Sequence, residues 1–235
     1  MMALDTDAAC RFVSERLRQA ANPEKAPPMQ AYMKTDMPFY GVQKAGRTGI
    51  LRDLVKAHRP DSASSYRELV LALWNLDHRE EKYIALGVAR HFKAHIVPVQ
   101  IDLYRQLIVE GAWWDLVDEV ATHLIRDLVV GYPTASWTLV DRWIDDEDMW
   151  LRRTALICQV GAKEHTDPDR LFGFCAARAH EEEFFIRKAI GWALRDYART
   201  DPAAVAAFIN AHLDELSGLS YREGSKHIRH LVEPQ

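Results

Sequence analysis

The sequence is short of several things, and each shortage excludes a class of protein. Only three cysteines occur in 235 residues, Cys10, Cys158 and Cys175, far apart and odd in number. They exclude a disulfide framework and a zinc cluster, and they point to a reducing cytosol. No run approaches the roughly 18–20 consecutive apolar residues that span a bilayer. The stretch Met1 to Asp7 is acidic and has no apolar segment, so no secretory signal is expected there and a cytoplasmic location is. There is no Gly-x-Gly-x-x-Gly, no phosphate loop with Gly-Lys-Ser/Thr and no Gly-x-Ser-x-Gly elbow. Nothing therefore implies a nucleotide or organic cofactor. Alternating strand patterns and Asn-Gly hairpin signals are also missing. Finally, positive charge is not in excess. The formal net charge is −4, which on its face counts against a binder of polyanions.

What is present is a folded core. The chain is 48% apolar with seven tryptophans, and its length allows one large domain. Charge is sorted along it: residues 1–60 are net +4, residues 61–150 net −8, and residues 151–235 balance. Much of the acidity lies in Asp145-Asp146-Glu147-Asp148, a run suited to a solvated helix start.

From residue 60 onward the prolines fall at 60, 98, 133, 168, 202 and 234, at gaps of 32 to 38 residues. Regular gaps in this range mark helical-hairpin repeats. Thr166-Asp167-Pro168 and Thr200-Asp201-Pro202 are near copies. Asp is a good helix cap and Pro suits the first helical position, so each proline is expected to start the first helix of a pair. The second helices carry their own trace at Glu80 to Gly87, Glu147 to Thr154 and Glu182 to Ala189. All three read acid, acid, any, aromatic, aliphatic, any, any, small. The acids serve the helix N-terminus and the aromatic packs beneath it. The segment from Ala21 to Pro28 reads as a loop. The expected fold is all-α, a superhelical solenoid of HEAT-like helical-pair repeats forming a single domain over residues 1–235.

Scaffold duty leaves a few residues unexplained. After Gly111, the residues Trp113, Leu116, Val117, Val120 and Leu124 form one helical stripe facing the core. Trp114 and Asp118, four apart, share a second stripe about 100° round. With Trp114 as the aromatic of the second-helix pattern, Asp118 falls where other repeats have Gly87, Thr154 or Ala189. The plain account is that Trp114 packs into the next repeat while Asp118 is solvated or pairs with an arginine. Arg153 reads as a solvated charge and Trp192 as core by spacing alone. In a solenoid, however, equivalent helices line one surface, where Trp114, Asp118, Arg153 and Trp192 could meet around one bound group. His91 with His95, and His227 with His230, have chelating spacing but no third ligand, so no metal is expected.

These residues carry a resemblance. Ala31-Tyr32-Met33-Lys34 with Pro38-Phe39-Tyr40-Gly41-Val42, Trp113-Trp114-Asp115-Leu116-Val117-Asp118, Trp150-Leu151-Arg152-Arg153, Glu183 through Arg195, Tyr221-Arg222-Glu223 and Lys226-His227-Ile228 occur in order at compatible spacing. The chain resembles the bacterial DNA alkylation repair glycosylases of HEAT-like-repeat type, the AlkD class, from about residue 28 to 231. The resemblance implies a basic concave face holding duplex DNA. It implies metal-free hydrolysis of the N-glycosidic bond of alkylated purines, N3-methyladenine and N7-methylguanine, in base excision repair. It places a catalytic carboxylate at Asp118, the flanking aromatics at Trp114 and Trp192, a DNA-contacting cation at Arg153, and Tyr32 along the cleft. Lys34, Lys44, Arg47, Arg187 and Lys188 are the further DNA-binding candidates. One departure is Lys44-Ala45-Gly46-Arg47, where relatives often have a proline, and it leaves the start of that helix open. A monomer acting near the nucleoid is expected. The rival expectation is a non-catalytic HEAT-like scaffold that binds a protein or branched DNA. On the glycosylase account the −4 is sorted by face, basic inside and acidic outside.

Overall fold

The computed structural model describes residues 4–235. Met1, Met2 and Ala3, the first residues of the stretch read as lacking a signal, lie outside it. The fold is all-α, a helical-repeat solenoid, and no strand occurs among the described residues. No helix there is long and apolar enough to cross a membrane. The chain divides into two compact units, Met1–Gln100 and Ile101–Gln235.

The first unit holds α1 (Thr6–Gln19), α2 (Ala26–Met33), α3 (Lys44–Ala57), α4 (Ala63–Trp74) and α5 (Arg79–His91). Asp5 caps α1 by accepting from the Ala8 amide at 2.8 Å. Ser62 caps α4 in the same way from Ser65, at 3.1 Å. The stretch read as a loop ends at Lys25, because Pro27 and Pro28 sit in the first turn of α2. A proline costs nothing there, since a first-turn amide has no intrahelical partner anyway. The helix start left open by the sequence falls at Lys44.

The second unit holds α6 (Ile101–Gly111), α7 (Trp114–Glu119), α8 (Arg126–Gly131), α9 (Pro133–Trp143), α10 (Met149–Ile157), α11 (Pro168–Ala177), α12 (Phe184–Tyr197), α13 (Pro202–Ala211) and α14 (Gly218–Gly224). Pro133, Pro168 and Pro202 each open the first helix of a pair, as the spacing predicts. Asp167 and Asp201 cap their helices through the amides of Arg170 and Ala204, at 3.1 and 2.9 Å. Two prolines break the rule. Pro60 lies two residues before the Ser62 cap, and Pro234 lies in the tail beyond α14. Pro98 opens only a 3₁₀ turn, Pro98–Gln100.

Within this unit the second helices are neighbours in chain order: α7 packs on α10, α10 on α12, and α12 on α14. Gly191 allows the closest approach. A Cβ there would lie 2.4 Å from the Glu223 Cβ and 3.1 Å from the Ser220 carbonyl oxygen.

The acidic pair of the second-helix pattern has unlike duties. Asp148 caps α10 as expected, accepting from the amides of Trp150 and Leu151 at 2.7 and 3.2 Å. Glu80 and Glu81 on α5 are instead fully buried. Glu80 accepts three backbone amides, Tyr40, Gly41 and Val42, at 3.0, 2.8 and 2.9 Å. Glu81 accepts from the Ser14 and Tyr40 hydroxyls and the His78 amide. These carboxylates pin the chain entering α3 and do not decorate a solvated helix start. Satisfied hydrogen bonds make their burial tolerable.

Candidate active site

The centre of the second unit is built on a broken helix. Ala112 turns the chain out of α6 with a φ of +36°, a left-handed value that a side chain rarely adopts. Backbone strain of this kind concentrates at functional sites. Trp113 then sits in extended conformation as the residue before α7. Directly after Glu119 the helix widens into a π-helical segment, Val120–Ile125, before α8 resumes. Segments of this type are rare and frequent at functional sites. The Thr122 hydroxyl donates to the carbonyl of Asp118 at 2.7 Å, fixing the backbone at the last full α-turn. Of the predicted stripe, Leu116, Val117, Val120 and Leu124 are buried, whereas Trp113, which precedes α7, is only half-buried.

Asp118 lies on α7 where the neighbouring second helix passes, and Arg153 of α10 meets it. The fork is bidentate: Arg153 Nε donates to Asp118 Oδ1 at 2.8 Å, and Nη2 donates to Oδ2 at 2.7 Å. The third guanidinium nitrogen donates to the Phe185 carbonyl of α12 at 2.6 Å. The two partners differ in access. The Asp118 side chain is 17% exposed and the Arg153 side chain 5%. The carboxylate therefore keeps an outward edge, and the guanidinium backs it from inside.

The expectation of a solvated Arg153 is thus corrected: Arg153 is buried, with its donors on Asp118 and Phe185. Burial of an arginine is tolerated only when charge and hydrogen bonds are both answered, and here they are. The plain account of Asp118 as the partner of an arginine matches this geometry. Burial pushes the Asp118 carboxyl above its ordinary value, while the hydrogen bonds and charge of Arg153 pull it back and nearby Asp115 adds to the rise.

Aromatics line the inner side. Phe185 packs against Trp150 at 4.9 Å and Trp113 at 5.4 Å between ring centroids. Its ring also lies 5.8 Å from the Arg153 guanidinium carbon. Trp114 heads α7 and is half-buried. Trp192 lies on α12 seven residues after Phe185, two helical turns along, and is half-buried, so it is not the core residue that spacing alone suggested. Phe184, beside this cluster, is 57% exposed.

The remaining candidate residues fall in separate places. Arg187 Nε donates to the Glu181 carbonyl at 3.1 Å, and Lys188 donates to Glu223 at 2.8 Å. Arg195 also pairs with Glu223. In the first unit Lys34 ends α2 with a φ of +49° and is exposed. Tyr32, Lys44 and Arg47 line one cleft of that unit. His95 packs on Tyr66 and His91 on Phe92. Among the described residues no group of three or more His, Cys, Asp or Glu side chains could hold a metal ion.

Sequence reasoning missed the role of Phe185, which acts through its main-chain oxygen, an atom no side-chain pattern reports. It also missed the π segment. The Gly111-Ala112 interruption was the one visible signal that the helix is irregular there.

Geometry and fold together define an all-helical repeat protein with a carboxylate held at a half-open position by a buried arginine. The family model for DNA alkylation repair enzymes matches residues 13–228. The chain belongs to that family. A solved structure of a predicted DNA alkylation repair enzyme from Enterococcus faecalis is similar to it. The two chains share 31% sequence identity over 88% of this chain and 96% of that one, with a TM-score of 0.81. No curated protein matches the chain.

Proposed function

We propose that the chain is a DNA glycosylase that hydrolyses the N-glycosidic bond of alkylated purines, N3-methyladenine and N7-methylguanine, in duplex DNA. The observation that carries this reading is the Asp118 carboxylate, partly accessible and fixed by Arg153. A family role in alkylation repair supports it.

Alkylation at N3 or N7 makes the purine cationic and a good leaving group. As the C1′–N bond breaks, its electron pair goes to the base, which departs as a neutral methylpurine. The sugar becomes oxocarbenium-like. An ionised carboxylate beside it stabilises that charge and orients the water whose oxygen bonds to C1′, and the water's proton passes to solvent. Asp118 takes this role. The indoles of Trp114 and Trp192 are suited to a cationic lesion, since indole faces attract cations.

Arg153 is the positioning residue: it holds both carboxylate oxygens and favours the ionised form of Asp118 against burial. Contacts to phosphate are assigned to more open cations, among them Lys34, Lys44 and Arg187. Phosphate contacts fix register and carry affinity without reading sequence. The product is a strand with an abasic site, the entry to base excision repair.

The test is release of methylpurine from alkylated duplex DNA. Asp118→Asn should lower release by more than about tenfold, since losing one aimed catalytic group usually costs about 100-fold or more. That variant leaves Arg153 without a charged partner, so the neutral pair Asp118→Asn with Arg153→Gln is made beside it, and melting curves report folding. A folded double variant with undiminished release would contradict the assignment. Retained DNA binding with no release by the wild type would favour a DNA-binding relative without catalysis.

A further inference from the structure

The first unit carries a cleft of about 450 Å³ between α2, the segment entering α3, and α5. That volume is in the range that takes a small organic ligand. Its walls combine two chemistries. Tyr32 and Met29 of α2 and Tyr83 of α5 supply apolar and aromatic surface; Lys25, Lys44 and Arg47 supply positive charge. No acidic side chain lines it. Tyr32 is 70% exposed.

The cations are arranged against helix preference. Lys44 and Arg47 occupy the first turn of α3, which contains no acid, at the positive end of the helix dipole. The residue before the helix, Gln43, makes no capping bond with its side chain. Its amide oxygen accepts from Lys25 instead, at 2.9 Å. The Arg47 guanidinium carbon lies over the Tyr83 ring, 4.2 Å from its centroid. It also donates to the Val42 carbonyl at 3.3 Å.

The cleft is fixed in advance of any ligand. Buried Glu80 holds the Tyr40, Gly41 and Val42 amides. Gly41 has a φ of +81°, and a Cβ there would lie 2.1 Å from the Asn22 carbonyl oxygen. Only glycine fits, and the chain leading into α3 has one path.

A site that is cationic at one end and aromatic at the other asks for a ligand that is anionic at one end and flat at the other. We infer that this cleft binds a nucleotide, with its phosphate at Lys44, Arg47 and Lys25 and its base against Tyr32 and the Arg47–Tyr83 stack. The nucleotide is either a free nucleoside monophosphate or an unpaired nucleotide of a DNA strand. Both present the same phosphate and base. The inference uses no residue of the Asp118 site; it shares Lys44 with the phosphate contacts of the proposed function, and its DNA-strand form rests on that reading.

The experiment is titration of the full chain with 2′-deoxyadenosine 5′-monophosphate and, separately, with inorganic phosphate. The monophosphate should bind about tenfold more tightly than phosphate, the scale of one base stacked on an aromatic side chain. Tyr32→Ala should erase that difference and leave phosphate binding unchanged. Lys44→Glu should weaken both ligands. Both positions are exposed, and melting curves check the fold. A duplex with a one-nucleotide unpaired end is then compared with a blunt duplex. Tighter binding of the overhang that is lost in Tyr32→Ala assigns the cleft to DNA strands. Equal binding of the two duplexes, with the monophosphate still bound, assigns it to free nucleotides. Monophosphate binding no tighter than phosphate, or indifferent to Tyr32→Ala, overturns the inference. Asp118→Asn should bind the monophosphate like the wild type, so failure of the glycosylase reading leaves this result standing.

Discussion

At the scale of the residue, one ion pair organises the candidate site. A carboxylate buried this far would cost several kcal/mol unpaired, and the bidentate fork of Arg153 offsets that cost. The outward edge of Asp118 then remains for chemistry. Because burial raises the Asp118 carboxyl while Arg153 lowers it, the proposed catalysis has a defined response to acid. The active form is ionised, so release should fall as pH drops through a value above that of an ordinary Asp, about 3.9. Arg153→Lys replaces a planar fork with a point charge. The proton is then held more tightly, so the acidic limb of the rate–pH profile should move to higher pH. A limb that stays in place, or moves lower, would contradict the role given to Arg153. Sequence could propose Asp118 and Arg153 singly. It could not pair them, because they are 35 residues apart and meet only through the packing of α7 on α10.

At the scale of the element, second helices packed side by side carry the site. Their shared pattern was legible in three acidic–aromatic–small segments, and its physical basis is now visible. The small position faces a neighbouring helix: Thr154 and Ala189 are fully buried, and a Cβ on Gly87 would press on Leu51 at 2.6 Å. Asp118 at the matching position meets Arg153 instead. Gly191 is the tightest point, between α12 and α14. Gly191→Ala forces those helices apart and should destabilise the protein by about 1–3 kcal/mol, read as a lower midpoint in urea. An unchanged midpoint would show that the contact yields freely. The proline starts were legible wherever an Asp cap preceded them, at Pro168 and Pro202. Pro60 and Pro234 fit the spacing but not the caps, so spacing overreached there. Periodicity could not show the π segment after Glu119, since apolar positions at 120, 121, 124, 125, 128 and 129 satisfy either winding.

At the scale of the whole molecule, the net charge of −4 is a sum over unlike surroundings. The acids of the middle segment are locally engaged. Asp118 pairs with Arg153, Asp141 with Arg170 and Asp145 with Arg178, Asp148 caps α10, and Glu80 and Glu81 are buried. These acids are engaged locally, so the net charge alone does not describe how a polyanion meets the exposed cations. Affinity for duplex DNA should therefore fall steeply and linearly with the logarithm of salt concentration, as counterion release requires. A flat salt dependence would contradict phosphate contacts by the exposed cations. Fold class and family were legible in the sequence because they rest on repeated local patterns and ordered motifs. The pairing at the site was not, because it depends on which helices touch.

Release of the damaged base is the reaction assigned to Asp118, and it can be measured as such. Alkylated duplex DNA is incubated with the wild-type chain and with Asp118→Asn, and free methylpurines are measured, with melting curves confirming that both are folded. The wild type should release methylpurine, and the variant should show release lowered by more than about tenfold. Equal release by the two folded proteins, or none by the wild type, would contradict that assignment.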